Sequence, residues 1–146
     1  GPLLARDESP NALVVDQFLE TFSVLTQLSG RRAISAMSTD QQHALLKRLE
    51  EMTDRFATGE LGQDELHAFL ESLGEISNNL VVRLIGNDLR TQLFERMIFK
   101  GRETTLNKNY HLQLLKGMRD GIESRDGNLF SKSLEEYFEE LRVGVF

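Results

Sequence analysis

The chain has 146 residues, with 17 Lys and Arg against 23 Asp and Glu, a net charge of −6, no cysteine and 40% hydrophobic residues. One domain with a true core is the natural size for this length, and the acidic balance argues against this segment docking broadly on nucleic-acid phosphates. The lack of cysteine excludes disulfides, thiolate zinc sites and a thiol nucleophile; it fits a reducing compartment, with the cytoplasm as the expectation.

Gly1-Pro2 matches the remnant a protease leaves after tag removal, so residues 1–8 are expected to be a tag scar and flexible lead-in, and residues 9–146 a single helical domain. Ser9 followed by Pro10 signals a helix start. The first helix should run through Val14, Phe18, Phe22 and Leu25 and close at Gly30, with a short second helix from Arg31 to Met37. Ser38 with Gln41 three residues on is a capping box, opening a helix whose apolar stripe is Leu45, Leu49, Met52 and Phe56. Thr58-Gly59 should stop it.

From Leu61 to Ile76 the stripe is Leu66, Phe69, Leu70 and Leu73, and Ser77-Asn78-Asn79 predicts a break or kink. Leu80 to about Phe99 aligns Val82, Ile85, Leu89 and Leu93 or Met97, and Gly101 to Thr105 reads as a loop. A helix from about Leu106 aligns His111, Leu115, Met118 and Ile122; after the Arg125–Asn128 turn, the last carries Phe130, Leu134, Tyr137 or Phe138, and Leu141. Apolar spacing of three and four throughout, with prolines only at 2 and 10, predicts an all-α antiparallel bundle of six to seven helices. No apolar run approaches the roughly 20 residues of a membrane span, and the N-terminal stretch has no signal-peptide core.

The stretch "DRFATGELGQDE", Asp54 to Glu65, mimics a calcium loop at its first, fifth, sixth, eighth and twelfth places, Asp54, Thr58, Gly59, Leu61 and Glu65. Its third place is Phe56, which has no oxygen to offer and completes the apolar stripe, so the stretch reads as a turn between packed helices. An enzyme is not expected: three scattered histidines and no Gly-rich phosphate loop leave no nucleophile–base pair to name.

Two stretches, "DELHAFLESLGEISNNLVVRLIGNDLRTQLFERM" and "YHLQLLKGMRDGIESRDGNLFSKSLEEYFEEL", resemble the helical effector-binding (FCD) domain of the FadR-like GntR transcription regulators. The resemblance covers nearly the whole chain. It implies a small carboxylic-acid effector, a homodimer, and DNA binding through an N-terminal winged helix–turn–helix outside this chain. It also implies a divalent metal, zinc, nickel or manganese, held by an Asp and three His.

On that pattern Asp64 takes the first ligand place and His111 the third. The second falls on Ala68, with His67 turned about 100° round the helix, and the fourth on Tyr137, or on Ser133 with a shorter turn. The metal site is therefore incomplete, and a carboxylate would then be held by polar side chains. Arg83 and Arg90, on the helix that lines the family's pocket, offer the bidentate geometry, and Asn79 either caps a helix or presents its amide. Each has a plainer role: Asp64 an acid favoured by a helix dipole, His111 a core histidine, Tyr137 a rim tyrosine, and both arginines surface charges. His43 and His67 read as solvated. The alternative to a sensor is a helical protein-interaction module with a degenerate EF-hand-like loop.

Overall fold

Helix boundaries fall where capping residues satisfy the end groups that a helix leaves unbonded. The computed structural model describes residues 10–59, 63–95 and 108–145. They form six helices and no strand: α1 (Pro10–Ala36), α2 (Thr39–Ala57), α3 (Gln63–Ser77), α4 (Leu80–Glu95), α5 (Lys108–Ser124) and α6 (Gly127–Val145). The lead-in at residues 1–8, the Ser9 cap and the loop predicted at Gly101 to Thr105 lie outside the described residues, as does the end of the fourth helix beyond Glu95.

The predicted capping box is formed in both directions: the Gln41 amide donates to Ser38 Oγ at 3.1 Å, and the Ser38 amide to Gln41 Oε1 at 2.8 Å. α2 ends at Thr58, and Gly59 takes φ +79°, a conformation costly for a side chain with Cβ. The break after α3 is a left-handed Asn78 (φ 57°), followed by Asn79, whose Oδ1 accepts the Val82 amide at 3.0 Å. Between α5 and α6, Arg125 is left-handed (φ 55°) and Asp126 Oδ1 accepts the Asn128 and Leu129 amides, each at 3.1 Å.

The stop predicted at Gly30 is absent. α1 continues through it to Ala36, and Gly30 is buried because the Phe130 ring of α6 lies where its Cβ would be. The glycine serves close packing between helices rather than termination, so the separate helix expected at Arg31 to Met37 is the last part of α1.

In space α1 packs on α6, α3 and α4; α5 packs on α6 and α2; and α3 packs on α4. Arg48 of α2 reaches α3 by donating to Ser72 Oγ at 3.3 Å and lying 5.5 Å above the Phe69 ring. Five helices thereby surround a core whose stripes are the predicted ones: Leu45, Leu49, Met52 and Phe56 of α2, Leu115, Met118 and Ile122 of α5, Phe130, Leu134, Phe138 and Leu141 of α6.

α4 stands apart. Its Val82 is buried, yet the helix contributes no described residue to the central apolar cluster, and Leu80, Val81, Leu84 and Ile85 are exposed. The stripe predicted through Val82 and Ile85 therefore does not face inward as a unit: the helix flanks α1 and α3, and among its described side chains only Val82 is buried. The side chains of Leu89 and Leu93 lie outside the described residues. Away from the core, Arg142 of α6 clamps Asp16 of α1 with two hydrogen bonds of 2.8 and 2.9 Å, and this hydrogen bonding holds the Asp16 carboxyl below its usual pKa.

Candidate functional site

Two polar regions in the bundle are linked by aromatic rings. The first is a cleft of about 70 Å³ between α1, α3 and α4. Each helix supplies a stripe at helical spacing: Phe22, Leu25, Thr26 and Ser29 from α1, His67, Leu70, Glu71, Gly74 and Glu75 from α3, and Val82, Arg83 and Gly86 from α4. Glycine at 74 and 86 keeps the walls low. The aliphatic stem of Arg83 lies over Gly74, with its Cγ 3.6 Å from where a Cβ would stand, and Gly86 has open space around it.

Deep in this cleft His67 is 2% exposed and its ring lies 5.6 Å from that of Phe22. A solvated His67 is thus corrected. α3 buries two adjoining stripes, Leu66-Phe69-Leu73 towards the core and His67-Leu70-Gly74 towards α1 and α4, and the second was there to be read as i, i+3, i+7. Ser29 is 6% exposed and lines the cleft; its hydroxyl makes no hydrogen bond among the described residues, whereas Thr26 spends its own on the Ser23 carbonyl at 3.0 Å. At the mouth, the Arg83 guanidinium and the Glu75 carboxylate are exposed and unpaired among the described residues. Neither Ser29 nor Glu75 was singled out by spacing or motif, because a serine on an apolar stripe and a glutamate on a helix surface carry no signal of their own.

The second region surrounds His111, which is 6% exposed. Phe56 stacks on it at 4.9 Å with an 18° tilt, and the Tyr137 ring lies 5.4 Å away. The Nδ1 atom is buried with no hydrogen-bond partner among the described residues. Burial disfavours the charged imidazolium and lowers the pKa below the ordinary 6.5. Phe138 bridges the two regions, meeting Tyr137 edge-on at 5.4 Å and Phe22 edge-on at 5.7 Å. A continuous run of rings, His67, Phe22, Phe138, Tyr137, His111 and Phe56, thus crosses the bundle.

This burial predicts a pH dependence of known sign. Because the folded pKa of His111 lies below the unfolded value of 6.5, the unfolded chain takes up the proton first as pH falls. The contribution of neutral His111 is therefore complete above 6.5 and declines below it, levelling off under the folded pKa. In urea unfolding at pH 7.5 and about pH 5.5, His111→Phe should lose less stability on acidification than the parent. An equal loss in both would show that His111 is not the group responsible.

The candidate residues divide as follows. Arg83 lines the α1–α3–α4 cleft, His111 and Tyr137 lie together in the second region, and Asn79 caps α4 with its side-chain oxygen. Asp64 sits in the first turn of α3 and Arg90 on α4, and the side chains of both lie outside the described residues. His43 is exposed, as expected. Among the described residues no three His, Asp or Glu side chains converge as a metal-binding group. In the Asp54–Glu65 stretch, Phe56 is buried against His111, and the Glu65 carboxylate is paired with the Arg55 guanidinium. No described helix is long and apolar enough to cross a membrane. Searches found no matching family model, curated protein or solved structure.

Proposed function

We propose that this chain is a ligand-sensing helical domain of the GntR regulator type, binding a small carboxylic acid in the α1–α3–α4 cleft. The observation that carries the reading is the cleft's composition: an unpaired guanidinium from Arg83 at its mouth, an unbonded Ser29 hydroxyl within, and apolar walls from Phe22, Leu25 and Leu70. A mostly apolar concavity with a few converging polar groups is what a small-molecule site requires, and an arginine holds a carboxylate through two parallel hydrogen bonds. Since α4 packs on α1 and α3 with only Val82 buried among its described side chains, a ligand that bridges α4 to α1 and α3 would favour one placement of that helix. In this reading the domain forms a homodimer and passes the change to a DNA-binding domain outside the chain.

A divalent metal, zinc, nickel or manganese, held by Asp64 and His111, is the second part of the proposal; the buried, unbonded Nδ1 of His111 supports it. A helical interaction module is the rival reading, favoured by the exposed Leu80, Val81 and Leu84 of α4. Melting of the metal-stripped protein with a panel of small acids and with each metal separates them, because binding to the folded state raises the midpoint by mass action. An acid-dependent rise lost in Arg83→Ala is the expected result, and a metal-dependent rise lost in His111→Ala would support the metal. A flat response to every acid would sink the sensor reading.

A further inference from the structure

We infer that the molecule seated in the α1–α3–α4 cleft carries an ammonium group as well as a carboxylate, as a small amino acid does. The inference rests on the ligand-sensing reading above and narrows its chemical class. Arg83 on the α4 wall and Glu75 on the α3 wall line the same small cleft, and each is unpaired among the described residues. The two opposite charges make no ion pair with each other, so both are open to a ligand. A ligand bearing both charges can satisfy the two walls at once.

A simple carboxylate fits less well. Glu75 puts a carboxylate on the wall of the cleft that Arg83 also lines, and like charges oppose a second anion. An ammonium removes that opposition and converts Glu75 from a repelling group to a partner. A simple amine leaves Arg83 without an anion. The apolar part of the cleft is small, about 70 Å³ between Phe22, Leu25, Leu70 and Val82, and favours a short side chain. The free hydroxyl of Ser29, 6% exposed and lining the cleft, offers one further hydrogen bond to a polar group on the ligand. The class is therefore a short α-amino acid, with a hydroxyl-bearing side chain matched by Ser29.

The test compares charge-matched probes on the whole chain by calorimetric titration and melting: alanine and serine, the corresponding acids propionate and 3-hydroxypropionate, and the amines ethylamine and ethanolamine. The amino acids should bind about tenfold or more tightly than either partial probe, the equivalent of one ion pair's discrimination, and raise the melting temperature by a few degrees at saturation. Glu75→Gln and Arg83→Gln, both at exposed positions, should each abolish the preference while leaving the unliganded melting temperature unchanged. If the acids bind as tightly as the amino acids and Glu75→Gln has no effect, the ammonium is refuted and the sensor of simple acids stands. Amines that bind as well as amino acids, insensitive to Arg83→Gln, overturn both readings. So does the absence of any binding.

Discussion

Phe138→Ala should lower the folding free energy by about 3–5 kcal/mol, the cost of emptying a closed aromatic site. Phe138 is 2% exposed and is the link between the two histidine regions, edge-on to Phe22 on one side and to Tyr137 on the other. Its loss removes both quadrupolar contacts, each about 0.5–1.5 kcal/mol beyond area burial, and leaves a void bounded by elements that cannot close together. Helices α1 and α6 are held in register independently, by Phe130 against Gly30 and by the Arg142–Asp16 clamp. Total stabilities of about 5–15 kcal/mol are usual, so the variant would be at the margin. Phe138→Leu keeps most of the volume and should cost about 1–2 kcal/mol. Chemical denaturation followed by circular dichroism reads both, and a Phe138→Ala loss below about 1 kcal/mol would contradict the packing described.

Gly30→Ala should also destabilise, against the usual direction for a glycine inside a helix. On an unhindered helix alanine gains about 1 kcal/mol over glycine. At position 30 the new methyl would lie 2.3 Å from Phe130 Cε1 and 2.5 Å from Cδ1, far inside contact distance. The ring has nowhere to go: Phe130 is fully buried, and on the α5 side Gly121 lies so close that its own Cβ would stand 2.9 Å from the Phe130 backbone nitrogen. Overpacking of this kind costs about 1–3 kcal/mol and exceeds the gain in helix propensity. Gly86→Ala supplies the contrast, since no described atom lies within 4 Å of where its methyl would stand; it should stabilise by about 0.5–1 kcal/mol. Thermal melts of the two variants should move in opposite directions. A Gly30→Ala protein that melts above the parent would show that α1 and α6 are not in this contact.

The candidate site was legible in parts. Arg83 is singled out only by the family resemblance, and it stands exposed on the wall of a cleft; His111 is singled out by its position on the Leu115-Met118-Ile122 stripe, and it is buried with that stripe. His67 escapes such reasoning because α3 is read as having one inward stripe, while a helix packed between α1 and α4 on one side and the core on the other buries a broader arc. Asn79 shows a polar side chain claimed by its own backbone: the oxygen that a ligand would need caps α4 instead.

By itself the sequence determined what short range decides: the all-α class, the capping box at Ser38, the stops at Gly59 and Asn78, and the inward faces of α2, α5 and α6. These rest on hydrogen bonds and apolar spacing among residues a few positions apart, so no distant partner is needed to read them. Only the tertiary structure decided whether Gly30 ends a helix or admits a ring, which side of the uniformly apolar start of α4 is covered, and that Ser29, Glu75 and Arg83 share one cleft. Those outcomes depend on which helices become neighbours, and that is set by the collective fit of side chains far apart along the chain.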